Sequence, residues 1–229
     1  MEHNYARYCC VVIGQPSLNL PGAPRKVTDE HFVDLWTKLA DHYKDNPNLI
    51  FELMNEPCGL SATIWAETMT KAIRGIQSKA PSHRILIAGP LAATVVTFEL
   101  RSTPALLPLL DLATYPGQII FGMHQYFDIL NGGTKDCLTW ILFEPFFKTA
   151  TDNLRKHKAT AMLTEFGGGP NDACAKIIDK MLTFFDANSD VWVGWTAWSN
   201  MYGDQVISRN SSSEYYALTK VMDKYAPLK

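Results

Sequence analysis

The 229-residue chain has no apolar run of the roughly 18 residues needed to cross a bilayer. Its opening segment, MEHNYARYCC, has no apolar stretch of the kind that forms the heart of a signal peptide. Neither sign of charge dominates, since 21 Lys and Arg stand against 23 Asp and Glu for a formal net charge of −2. That balance gives no electrostatic footprint for nucleic acid or for an anionic membrane surface, so neither is expected as a partner. None of the six histidines falls in an HEXXH or Cys-Cys-His-His spacing, so no catalytic metal and no cofactor is expected. Five cysteines are an odd number, which leaves at least one thiol without an intrachain partner. There is no low-complexity tract and no linker-like shift in composition. A hydrophobic content of 47% therefore reads as one sizeable core, in a single domain over residues 1–229.

What is present is an alternation of helical and extended patterns. Val27–Pro47 carries Phe32, Leu35, Trp36, Leu39 and Tyr43 as a helical stripe. Thr28 stands as its N-cap, and Asp29 and Glu30 suit the positive end of the helix. Leu49–Met54 reads as a buried strand, Ser61–Ala80 as a helix, and Arg84–Ala88 as a strand broken by Gly89-Pro90. A helical or looping stretch rich in Leu and Pro leads to a strand at Ile119–His124. Beyond it, Phe146–Lys158 is predicted helical, Ala161–Thr164 extended, Asn171–Asn188 helical, Val191–Trp198 a strand and Glu214–Tyr225 a last helix.

The strand ends fall at positions 56, 88, 124, 165 and 198, spaced 32, 36, 41 and 33 apart. A (β/α)8 barrel of about 250 residues averages about 31 per unit. The expected fold class is thus α/β, of the (β/α)8 TIM-barrel type. Five complete strands are legible, with a stub near His3, where eight would close a barrel. The expectation is a chain that lacks the first two to three βα units, with two unpaired sheet edges through which it associates.

Two glutamates, Glu56 in LIFELMNEP and Glu165 in TAMLTEFGGG, each follow a short apolar run. A carboxylate at the end of a buried strand is costly unless paired or functional. Carboxylates gathered at the C-terminal ends of parallel strands are a common way to cut a glycosidic bond. Either one alone would pass for an ordinary ion-paired side chain.

Around them, Asn55-Glu56-Pro57, His124-x-Tyr126, Glu165 followed by glycines, and Trp198 resemble glycoside hydrolase family 5. More narrowly, HNYARY at His3–Tyr8, VIGQ at Val12–Gln15, HQYFD at His124–Asp128 and LTEFGGG at Leu163–Gly169 resemble its fungal-type endo-β-1,4-glucanases, the cellulases. The resemblance runs in order over nearly the whole chain. It implies a retaining hydrolase acting on a β-linked polysaccharide, with β-mannanases and other β-glycanases as relatives of the same chemistry and a non-catalytic glucan-binding fragment as the other alternative.

The resemblance also implies roles. Glu56 is the general acid/base and Glu165 the nucleophile. Asn55 binds the sugar 2-hydroxyl, Tyr126 donates its phenol to Glu165, and His124 bonds to the acid/base or to sugar. Period-two alternation puts His124 and Tyr126 on one strand face. His3 matches a sugar-binding histidine, and Trp198 offers a ring face on which a pyranose stacks. Trp36 and Trp65, on amphipathic helices, read as core, while Trp140 could be a sugar platform or packing. The run Gly167-Gly168-Gly169 lacks the Lys-Ser/Thr of a phosphate loop and reads as a tight turn. Cys137 and Cys174 match a disulfide of the fungal enzymes, leaving Cys9, Cys10 and Cys58 unassigned. The family's arginine at the end of the second barrel strand has no counterpart in this chain. The resemblance implies secretion, for which the acceptor triplet Asn210-Ser211-Ser212 is a weak sign.

Overall fold

A computed structural model describes residues 28–57, 60–90, 92–128, 137–138, 144–168, 171–198, 221 and 224–225. The chain divides into two compact units, Met1–Gly122 and Met123–Lys229, with the boundary inside a strand.

In the first unit the order is α1 (Asp29–Tyr43), β1 (Ile50–Leu53), α2 (Ala62–Gln77), β2 (Arg84–Ala88) and the start of β3 (Ile119–Tyr126). Two short helices, α3 (Val95–Thr97) and α4 (Thr103–Leu106), lie between β2 and β3 within a run that also includes a π turn and a 3-10 turn. The strands pair in parallel in the order β1-β2-β3, with Leu53 opposite Ile87 and Ala88 opposite Gly122. Among the described residues, β1 has β2 as its one ladder partner. The predicted strand Leu49–Met54 is shorter because Met54 takes φ 69°, a left-handed conformation that ends extended pairing.

Thr28 caps α1 as expected, with His31 completing the reciprocal pair. The hydroxyl accepts from the His31 amide, and His31 Nδ1 accepts from the Thr28 amide at 3.2 Å. Asp29 then receives Lys71 at 2.6 Å and the Thr68 hydroxyl at 2.9 Å, which fastens α1 to α2. The stripe of α1 differs from the prediction in one member, Leu35, which is 53% exposed. The reason lies in α2. A β-carbon at Gly75 would stand 2.4 Å from Thr37 Oγ1 and 3.3 Å from Val33, so α1 approaches along Val33 and Thr37 and turns Leu35 outward. Phe32 meets Trp65 at 5.9 Å between ring centroids, and the buried Trp65 donates its Nε1–H to the Ala88 carbonyl at 2.7 Å. Trp65 is core, as read. Trp36 is half-buried beside Phe32 and Phe51.

The second unit holds the end of β3, then α5 (Glu144–Lys156), β4 (Thr160–Gly167), α6 (Asp172–Ala187) and β5 (Trp192–Trp195), with strand order β3-β4-β5. The predicted helix Phe146–Lys158 stops earlier because Lys158 has φ 54°, a left-handed helix stop. Asn171 caps α6 by accepting from the Cys174 amide at 2.9 Å. Phe147, Phe185 and Trp192 form the core of this unit. Phe185 and Trp192 stack at 4.4 Å, and the Trp192 indole donates to Thr151 Oγ1 at 2.9 Å.

β5 is shorter than the predicted Val191–Trp198. The ladder shifts between Ala161 opposite Trp192 and Leu163 opposite Trp195, and regular pairing ends there. The chain still follows β4, since the Thr196 amide donates to Leu163 O at 2.9 Å and the Trp198 amide to Phe166 O at 2.8 Å. The predicted last helix, Glu214–Tyr225, is described at 221, 224 and 225, all helical. There Tyr225 and Lys224 both donate to Asp179 of α6, at 2.7 and 2.9 Å. No helix among the described residues is long and apolar enough to cross a membrane.

Candidate active site

In the second unit, β3 ends in a run of buried polar side chains. His124, Gln125, Tyr126 and Asp128 are each no more than 7% exposed. Glu165, two residues before the end of β4, is 8% exposed. Burying a carboxylate here requires hydrogen bonds. Tyr126 supplies one, its hydroxyl donating to Glu165 Oε1 at 2.7 Å. On the other carboxylate oxygen, His124 Nδ1 stands 3.9 Å from Oε2, beyond hydrogen-bond length but within reach of an ion pair when the ring is protonated. The two-residue spacing of His124 and Tyr126 thus brings both rings to one carboxylate.

Gln125 points elsewhere, its amide nitrogen donating to the Tyr126 carbonyl at 2.6 Å. Asp128 was not singled out from the sequence, although it continues the alternation 124, 126, 128. A buried carboxylate at that register was the available signal.

No tight turn follows Glu165 among the described residues. β4 continues through Gly167, and neither Gly167 nor Gly168 has a positive φ. They are small for a different reason, close approach. A β-carbon at Gly167 would lie 3.3 Å from Tyr126 Cε1 and 3.5 Å from the Trp198 carbonyl oxygen. The expected disulfide is present, with Cys137 joined to Cys174 in the first turn of α6 across a Cα–Cα distance of 5.0 Å. Trp198 is half-buried, and its backbone runs beside Phe166 and Gly167.

In the first unit, Asn55 and Glu56 lie just past β1 rather than in it. Asn55 is exposed and Glu56 half-buried. Met54 and Glu56 both take left-handed conformations, φ 69° and 42°. Two such residues within three positions turn the chain sharply out of the strand, at a cost of order 1–3 kcal/mol each, of the kind that recurs at functional sites. His3, Trp140, Gly169, Cys9, Cys10, Cys58 and Asn210 lie outside the described residues.

The family description "Cellulase (glycosyl hydrolase family 5)" matches residues 3–201. Endoglucanase EG-II of Hypocrea jecorina is 32% identical over 202 residues, 86% of this chain and 45% of that protein. Endoglucanase 3 of Humicola insolens is 29% identical over 232 residues, 98% of this chain and 55% of that protein. The chain spans about half the length of these curated relatives. Among solved structures, XacCel5A in complex with cellopentaose superposes with a TM-score of 0.75 at 30% identity, over 87% of this chain and 66% of that one. Cel5A (EG2) of Hypocrea jecorina gives 0.72 at 28% identity, over 87% and 61%. The parallel strands with intervening helices are therefore those of a (β/α)8-type α/β fold, and the chain belongs to the cellulases of glycosyl hydrolase family 5.

Proposed function

We propose that this chain carries the catalytic machinery of a retaining endo-β-1,4-glucanase. The observation that carries the reading is Glu165, a buried carboxylate at a strand end, held by the Tyr126 phenol. The endoglucanase names of the relatives, and the cellopentaose bound to a similar structure, support a β-1,4-glucan as substrate.

In this mechanism, a Glu165 oxygen attacks the anomeric carbon as the bond to the leaving oxygen breaks. Glu56 gives that oxygen its proton. The product of the first step is a glycosyl ester on Glu165 and a free chain end. Glu56, now a carboxylate, takes a proton from water, and the water oxygen displaces Glu165 with a second inversion. A phenol donating to Glu165 Oε1 leaves the other oxygen available to attack, and its hydrogen bond stabilises the negative charge that returns to the Glu165 carboxylate when the ester is cleaved. Asn55 would bind the 2-hydroxyl, where contacts strengthen at the transition state, and Trp198 would stack on a pyranose ring. His124 would bind sugar or the acid/base, and His3 would add a further sugar contact.

Secretion is part of the same proposal. A disulfide between Cys137 and Cys174 supports an oxidising setting.

The test is Glu165→Gln. Release of reducing ends from carboxymethylcellulose should vanish while the circular dichroism spectrum is unchanged. Turnover within a few-fold of the unaltered protein would remove Glu165 from the nucleophile role. Release from mannan in preference would move the substrate to a β-mannan, and binding to cellulose with no release by the unaltered chain would leave a glucan-binding protein.

A further inference from the structure

We infer that Gly168 and the Cys137–Cys174 disulfide form a positioning contact for Glu165, in which the cystine serves as a fixed wall against the backbone that carries the nucleophile. This rests on the nucleophile role proposed above and adds residues that the role does not itself require.

A β-carbon built on Gly168 would stand 2.9 Å from Cys137 Sγ, 3.0 Å from Cys174 Sγ and 3.0 Å from Cys174 Cβ. Real β-carbons essentially never approach another atom as closely as the contact with Cys137 Sγ, and the two contacts with Cys174 are tighter than most that real β-carbons make. Both sulfurs belong to one covalent bridge. One end is fixed in the first turn of α6, where the Cys174 amide is itself tied to the Asn171 side chain at 2.9 Å. The other end is followed by Leu138, whose amide donates to the Phe127 carbonyl at 2.8 Å. A single cysteine side chain could swing away from an added methyl group, but a bridge anchored at both ends cannot. The backbone at Gly168 would have to move instead.

That backbone is held on its other contacts with little slack. The Phe166 carbonyl accepts from Trp198, and Gly167 lies against the Tyr126 ring. Glu165 is three residues away, and a strand rises about 3.3 Å per residue, so a shift at Gly168 passes to Glu165 through two tightly packed neighbours. Misplacing a reacting group by about 1 Å costs on the order of a hundredfold in rate. The run of glycines after the nucleophile is thus read as room for the Tyr126 ring on one residue and for the cystine on the next.

The test is a double-mutant cycle on the full chain, read by the rate at which a 2-deoxy-2-fluoro-cellobiosyl fluoride labels Glu165, together with kcat and KM on a soluble β-glucan. Gly168→Ala with the disulfide intact should slow labelling and kcat by about ten- to a hundredfold with KM within about twofold. In a Cys137→Ala/Cys174→Ala background the same glycine substitution should cost no more than about threefold, because the sulfurs are gone. A role in stability alone would lower Tm in both backgrounds and leave kcat unmoved, which would overturn the inference.

Should the double alanine variant fail to fold, reduction of folded Gly168→Ala by a phosphine replaces it. The phosphine takes oxygen from water and becomes its oxide, the sulfur–sulfur bond breaks, and each sulfur gains a hydrogen. Reduction should then restore labelling at least several-fold, and no restoration would count against the contact. Absence of labelling in the unaltered chain would remove the nucleophile assignment itself, and the positioning role with it. Labelling of the unaltered chain with no effect of Gly168→Ala would remove the positioning role alone.

Discussion

The hydroxyl of Tyr126 donates to Oε1 of Glu165 at 2.7 Å, with both side chains buried. Tyr126→Phe keeps the ring against Gly167 and deletes this donor. A buried carboxylate that loses a hydrogen bond is worse off by about 1–3 kcal/mol. Expected is a fall in kcat/KM of about ten- to a hundredfold on a soluble β-glucan, with Tm lowered by only a few degrees. An unchanged kcat/KM would mean that the phenol has no part in the reaction.

Gly75 offers a test of the helix pair whose outcome changes sign. Alanine is worth up to about 1 kcal/mol over glycine inside a helix. Here, however, its β-carbon would stand 2.4 Å from Thr37 Oγ1. Gly75→Ala should destabilise by about 1–3 kcal/mol in denaturant titrations. In a Thr37→Ala background the same change should be neutral or stabilising. Equal costs in both backgrounds would refute the close approach of α1 and α2.

The contact of Lys224 and Tyr225 with Asp179 predicts a dependence on pH. Tyr225, and then Lys224, hold the Asp179 carboxyl below its ordinary value, while Tyr225 and Asp179 push Lys224 up to about 12. The sign follows from linkage. A depressed carboxyl contributes stability above its unfolded value of about 3.9, and that contribution is lost as pH falls through the folded one. A raised lysine contributes below about 10.4, and its contribution is lost as pH rises through about 12. All three groups lie near solvent, so the effect is small and screened by salt. Asp179→Asn should flatten both limbs of Tm against pH, and a profile identical to the unaltered chain would show that this contact does not hold the C-terminal segment.

β5 pairs with β4, and Val193 within it is 47% exposed. Among the described residues β4 is the one ladder partner of β5, and we propose that this strand supports self-association, as the expectation of unpaired strands implied. A lysine on an edge strand opposes pairing with another chain. Val193→Lys should shift light scattering toward smaller species without changing the circular dichroism spectrum. An unaltered chain that is monodisperse and monomeric would remove the proposal.

Much of this was legible before any coordinates. The alternation of apolar runs located all five described strands and the major helices, because strand and helix periods are properties of neighbouring residues. The cap Thr28 was readable for the same reason, as its side chain acts within three residues. Boundaries were less so. β1 and α5 end where Met54 and Lys158 take left-handed conformations, and nothing in those residue types announces it.

By itself, then, the chain's order of residues determined the βα repeat, the family and the identity of the polar groups at the strand ends. Tertiary structure alone decided which of them bear on one another: that Leu35 faces outward because Gly75 admits Thr37, and that Gly167 and Gly168 are small for a tyrosine ring and a cystine. The physical reason is one of range. Periodicity and capping act over a few residues, whereas the space allowed to a side chain is set by atoms that the fold brings in from 30 or more positions away, as Cys137 and Tyr126 are brought to the end of β4.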